Sequence, residues 1–207
     1  MKLIVISSPA DLSNEHELLC SLFEAGLGCF HLRKPGYSEM QTEDYLQSVP
    51  EKYHKRVMLH SHYPLSEKYS LKGIHHTKTI PGYYKEGLTV SASVHSIKEI
   101  EESKKYDYVF LSPVFDSISK PGYVGNFDFL ELKNSLQKLK MKQPYPEVIA
   151  LSGIDENNIN LAHETGFDGV AVLGSIWGTF LKNKNIQDTI IKFHKIQEQC
   201  RFPAHAY

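Results

Sequence analysis

The sequence predicts one (β/α)8 barrel, an α/β TIM-barrel domain spanning residues 1–207. Three observations lead there. Eight short apolar runs alternate with amphipathic segments. Most of those runs lack strict period-two alternation, as parallel strands covered on both faces do. The unusual polar residues gather where the runs end, which is where a barrel places its chemistry. At 207 residues the chain is long enough for one sizeable domain and short for a barrel, so connections should be brief.

The strands are expected at residues 3–6, 29–32, 57–59, 73–75, 89–93, 108–111, 148–151 and 169–173. Between them, residues 16–25 read as a helix ended by Gly26, a C′ glycine. A second helix, 95–104, opens after Ser93, and a third, 157–164, stops before Gly166. The helices after the third and fourth strands look short: 63–70 gives two turns, and 78–87 contains Pro81 and Gly82. That shortness would suit an open doubly wound sheet, but eight strands favour closure. Residues 201–207 read as a poorly ordered terminus.

A net charge of −1 gives no case for nucleic-acid binding, so any phosphate recognition must be local. The apolar N-terminal run is too short for a signal peptide or a membrane span, and no other stretch reaches spanning length. A soluble, cytoplasmic protein without membrane contact is expected. Cys20, Cys29 and Cys200 form neither a disulfide framework nor a CxxC pair, and the first two read as small core residues. Tyr37, Tyr83 and Tyr84 permit a homodimer interface.

Strand seven runs into Ser152-Gly153 and strand eight into Gly174-Ser175. Glycines there allow close backbone approach to a ligand, and N–H groups at a helix start can face an anion without a basic side chain. Each glycine could instead serve a tight turn. The pair on adjacent strands favours a phosphate site. After strand six, Ser117, Ser119 and Lys120 could ring an anion in a loop made pliable by Gly122 and Gly125. At the end of strand two, alternation puts His31 and Arg33 on one side and Leu32 on the other. Arg33 can chelate phosphate there, or stand outside the sheet.

The chain has 11 histidines, and His60, His62, His75, His76 and His95 fall on candidate site loops. None forms an HExxH or His/Cys signature, so no metal ligands are assigned. His75 and His76 must point to opposite faces. One or two of these histidines are expected at the site.

In this order the landmarks resemble the thiamine phosphate synthase/TenI superfamily across residues 5–177. The resemblance rests on Phe30-His31-Leu32-Arg33, Lys72-Gly73-Ile74-His75, VSASVHS at 90–96 and DYVFLSPVFDSISK at 107–120. VIALSGI at 148–154 and GFDGVAVLGSI at 166–176 complete it. It implies a barrel that binds a thiazole phosphate as small-molecule substrate. A synthase of this family joins hydroxymethylpyrimidine diphosphate to that thiazole with Mg²⁺, whereas TenI-type relatives tautomerise the thiazole without it.

Carried over by position, Gly153, Gly174 and Ser175 match the thiazole-phosphate contacts, with Ser152 replacing a glycine. Ser117 and Ser119 stand at two threonines of a T-x-T-K loop, and Lys120 is retained. Ser93 matches a G-x-S serine, although the glycine is absent. Arg33 matches the diphosphate-binding arginine. Its partner lysine falls on Pro35, so Lys34 is the substitute candidate. His31 replaces the glutamine expected on the pyrimidine. The Mg²⁺-binding positions match worst: His60-Ser61 replaces N-D, and His76-Thr77-Lys78-Thr79 replaces G-Q-x-D. Mg²⁺ is therefore expected only if synthase activity is retained. The histidine some TenI proteins carry after strand six is Pro113, so a tautomerase would move its proton through His31, His60 or His75. A non-catalytic protein holding thiazole or thiamine phosphate is the third expectation. The catalytic set under either enzymatic reading is His31, Arg33, His60 and Lys120.

Overall fold

The structure is a computed structural model and describes every residue except 78–85, 117, 119–121, 123, 126, 143 and 202–207. Eight parallel strands close in sequential order: β1 Lys2–Ile6, β2 Phe30–Leu32, β3 Val57–Leu59, β4 Gly73–His76, β5 Thr89–Val94, β6 Tyr108–Leu111, β7 Glu147–Leu151 and β8 Gly169–Val172. Closure comes from β1 pairing with β8, Val5 opposite Val172. The expected barrel is therefore the observed one, with strand ends shifted by a residue or less. The helices are α1 Glu15–Glu24, α2 Glu39–Ser48, α3 Leu65–Lys68, α4 Ile97–Glu102, α5 Phe129–Lys140, α6 Ile159–Thr165, α7 Gly174–Asn183 and α8 Ile186–Arg201.

Local chemistry explains where the helices depart from the periodic reading. α4 begins at residue 97 rather than 95 because Ser96 is the N-cap, its hydroxyl accepting from Glu99 N. His95 is meanwhile held outside the helix by Ser112 O, 2.8 Å from Nδ1. α6 starts at 159 rather than 157 because Asp155 and Asn157 form a turn, Asn157 N donating to Asp155 Oδ1. α3 is a single turn instead of two. Gly26 and Gly166 take positive φ as helix-ending glycines. Most of the short segment expected at 78–87 lies outside the described residues, as do Tyr83 and Tyr84.

Side chains alternate across the barrel wall. Outward residues such as Leu32, Leu59, Ile74 and Val109 pack with Leu18, Leu22, Phe23 and Leu136 of the helices. Inward residues fill the lumen. Half of that lumen is apolar, with Ile4, Ile6, Ile149 and Ala171 from β1, β7 and β8. The other half is polar: His31, His75, Ser91 and Tyr108, on β2, β4, β5 and β6, are all buried. Gly73 opens β4 because a Cβ there would lie 1.8 Å from Thr89 O. Trp177 of α7 donates its Nε1–H to Ile6 O at 2.6 Å, tying α7 to the end of β1. No helix among the described residues is long and apolar enough to cross a membrane.

Candidate active site

At the C-terminal mouth, β7 leads into two successive left-handed residues, Ser152 at φ 86 and Gly153 at φ 68. The β6 loop lies against this turn, with Val114 N donating to Leu151 O and Phe115 N to Ser152 O. A Cβ on Gly153 would come within 2.2 Å of Asp116 O. Glycine is thus required here by the neighbouring loop, in addition to any ligand. Beside it, α7 begins at Gly174-Ser175, and the first N–H groups of a helix have no intrahelical partner. The hydroxyls of Ser152 and Ser175 are both buried and lack a hydrogen-bond partner among the described residues. Orphaned buried hydroxyls are uncommon unless something else binds them. Together with the helix start they make a cradle suited to an anion.

Three imidazoles meet in the polar half of the lumen. His31 Nδ1 is 2.9 Å from His60 Nε2, and His31 Nε2 is 2.6 Å from the Tyr108 hydroxyl. His75 Nδ1 bonds Ser91 Oγ at 2.8 Å and His75 Nε2 bonds Ser93 Oγ at 2.9 Å. The His60 and His75 rings stack at 4.2 Å, and both His31 and His75 lie against Phe110. His60 Nδ1 is shut off from solvent and has no partner among the described residues. Burial, and then each ring's neighbours, hold all three imidazoles well below the ordinary histidine value. They are neutral at pH 7.

Of the five loop histidines, one or two were expected at the site; His60 and His75 lie together there, beside His31, which was expected on its own account. His75 points inward and His76 outward, its Nδ1 meeting Tyr106 Oη at 3.3 Å, as alternation requires. His62 and His95 bond the carbonyls of Tyr37 and Ser112 and do not join the cluster. Arg33 is half-buried at the mouth. Its backbone exchanges two hydrogen bonds with Ser7 Oγ, while its guanidinium depresses the pKa of both His60 and His75.

Lys34 departs from expectation. Its side chain is 2 % exposed, and Nζ lies 2.6 Å from Glu15 Oε2 and 2.8 Å from Ala10 O. The ammonium is committed to α1 and does not replace a diphosphate-binding lysine. Ser117, Ser119 and Lys120 lie outside the described residues. The cysteines are unpaired; Cys200 is buried, while Cys20 and Cys29, expected in the core, are half-buried, and burial pushes the Cys29 and Cys200 thiols up to about 11.

The pattern of the family described as "Thiamine monophosphate synthase" matches residues 3–176. The chain belongs to the thiamine monophosphate synthase family. A thiamine phosphate pyrophosphorylase from Bacteroides thetaiotaomicron, solved by crystallography, is 36% identical, with a TM-score of 0.84 and 99% of this chain and 100% of that chain covered. The thiamine-phosphate synthase of Listeria monocytogenes serotype 4b (strain F2365) is 24% identical over 169 residues, 74% of this chain and 77% of the relative. A pyrophosphorylase of the same description from Pyrococcus furiosus shares the fold at 19% identity and TM-score 0.71, over 95% of this chain and 96% of that one.

Within this family the lumen cluster is where the chain's own chemistry must be judged. Mg²⁺ takes oxygen ligands, usually including carboxylates. The side chains after β3 and at the end of β4 are His60, Ser61, His75, His76 and Thr77, which supply nitrogen and hydroxyl donors and no carboxylate. These residues do not fit Mg²⁺. Sequence reasoning assigned no role to Ser91 or Tyr108. Their signal was register: each stands two residues before a lumen residue, Ser93 and Phe110, and so faces inward.

Proposed function

We propose that the protein joins a pyrimidine diphosphate to a thiazole phosphate, forming thiamine phosphate and releasing diphosphate. The observation that carries this is the pair of unpartnered buried hydroxyls, Ser152 and Ser175, at the mouth of a family barrel. They and the α7 N-terminus hold the thiazole's phosphate. The benzylic-type C–O bond of the pyrimidine breaks, and its electron pair leaves with diphosphate. The thiazole nitrogen then donates its lone pair to the carbocation. Arg33 carries a fixed positive charge where the diphosphate's charge develops. The neutral imidazoles place no repelling charge beside the cation.

Incubation with both substrates in Mg²⁺-containing buffer is expected to release diphosphate, and no release at saturation would refute this reading. Ser175→Ala should raise the KM for thiazole phosphate roughly 10- to 100-fold, because a hydrogen bond to a charged group contributes about 1.5–3 kcal/mol.

The orphaned His60 Nδ1 favours a second reading, a thiazole tautomerase without metal. A neutral imidazole with a free nitrogen can accept a proton and return it readily, since burial holds its pKa well below the ordinary histidine value. The non-aromatic thiazole tautomer would then aromatise with the wild-type protein and not with His60→Gln. Tight thiazole-phosphate binding with neither turnover would make the chain a binding protein.

A further inference from the structure

An imidazole bound through nitrogen at about 2.0–2.1 Å sets its ring centre roughly 3.2 Å from a metal, so three rings around a tetrahedral ion stand about 5.2 Å apart. The His31–His60 and His31–His75 centroids are 5.1 Å and 5.3 Å apart, and His60–His75 are closer at 4.2 Å. One nitrogen from each ring lies within 4.8 Å of the others. Two of the three ligand candidates also have the outer support that metal-binding histidines need. Tyr108 Oη holds His31 Nε2, and Ser91 Oγ holds His75 Nδ1. That leaves His31 Nδ1, His60 Nε2 and His75 Nε2 as the donor set.

We propose that His31, His60 and His75 form a site for a borderline divalent transition ion, zinc in the first instance, with a fourth position open toward the barrel mouth. Three neutral imidazoles suit zinc, cobalt or nickel and are poor ligands for magnesium. Binding moves the proton shared by His31 Nδ1 and His60 Nε2 to the other nitrogen of the ring that carried it, so each ring stays neutral, and opens the stacked His60–His75 pair slightly. Ser93 Oγ, released from His75 Nε2, turns to a metal-bound water. The Arg33 charge opposes the ion and favours an anionic fourth ligand such as phosphate. Zinc uptake needs neither substrate nor turnover, so its measurement is separate from that of the reaction.

The test uses metal-stripped protein freed of any polyhistidine tag. Titration with zinc, followed by competition against a chromophoric chelator, is expected to give one ion per chain, unaffected by excess Mg²⁺. His60→Gln and His75→Gln should each weaken binding by at least about 100-fold, the upper end of what loss of an outer-shell partner costs. His194→Ala, on the exposed face of α8, should leave it unchanged. Cobalt-loaded wild-type protein should show the strong visible absorption of a four-coordinate ion, a readout that needs no variant. Absence of stoichiometric uptake, zinc affinity indifferent to both glutamine variants, or only the weak absorption of six-coordinate cobalt would each overturn the site.

Discussion

In metal-free buffer, lowering the pH from about 7 to about 5.5 should cost the fold several kcal/mol, well before its carboxylates protonate. His31, His60 and His75 titrate near 6.5 once unfolded but are held well below that value when folded, first by burial. Below 6.5 the unfolded chain therefore binds more protons. The stability due to these rings is complete above the unfolded value and is lost as pH falls toward the folded one. Each ring contributes a slope of up to about 1.4 kcal/mol per pH unit, so the three together reach roughly 4 kcal/mol at pH 5.5. His16, also lowered by burial, acts in the same direction. Domains of this kind have about 5–15 kcal/mol in total, so the urea midpoint should fall sharply across this window. His75→Gln should flatten the dependence. A midpoint constant from pH 7 to 5.5 would contradict the buried neutral cluster.

Lys34→Met should destabilise the protein by about 3–5 kcal/mol, the usual result of removing one partner of a buried ion pair. Glu15, 3% exposed, would keep, among the described residues, the Tyr45 hydroxyl at 3.0 Å as the one close partner for its carboxylate. Asp11, 3.6 Å from Nζ and 74% exposed, loses little. Adding Glu15→Leu should recover most of the loss, because an apolar pair of similar size often replaces a buried ion pair at no net cost. Chemical denaturation of the single and double variants measures both. A double variant no more stable than Lys34→Met would show that packing, not the orphaned charge, dominates.

The barrel could be read from the chain because each strand is a short apolar run ending in polar residues, and alternation alone assigned His31 against Leu32 and His75 against His76. The place of Ser152-Gly153 and Gly174-Ser175 at adjacent strand ends could also be read, and their service to a phosphate belongs to the function proposed above. What could not be read depends on closure and register. His31 and His75 lie on β2 and β4 and His60 directly follows β3, and the pairings of His31 with Met58 and of Leu59 with Ile74 bring their rings together. The fate of Lys34 was hidden for the same reason. A lysine beside an arginine looks like a second anion ligand until α1 places a carboxylate under it, 19 residues away in sequence. Gly153 is constrained by the loop after β6, a neighbour that local sequence does not identify.

The bond from Trp177 to the Ile6 carbonyl gives the phosphate cradle a further property. The helix that presents Ser175 is fastened to the first strand, and that strand meets the last one where the cylinder joins. An anion on the cradle therefore acts as a clasp on the joint, because whatever binds only the closed form adds its binding free energy to closure. On the proposed function, loaded molecules would open rarely and outlive empty ones under proteolysis, so the supply of phosphorylated substrate would set the lifetime of the protein as well as its occupancy.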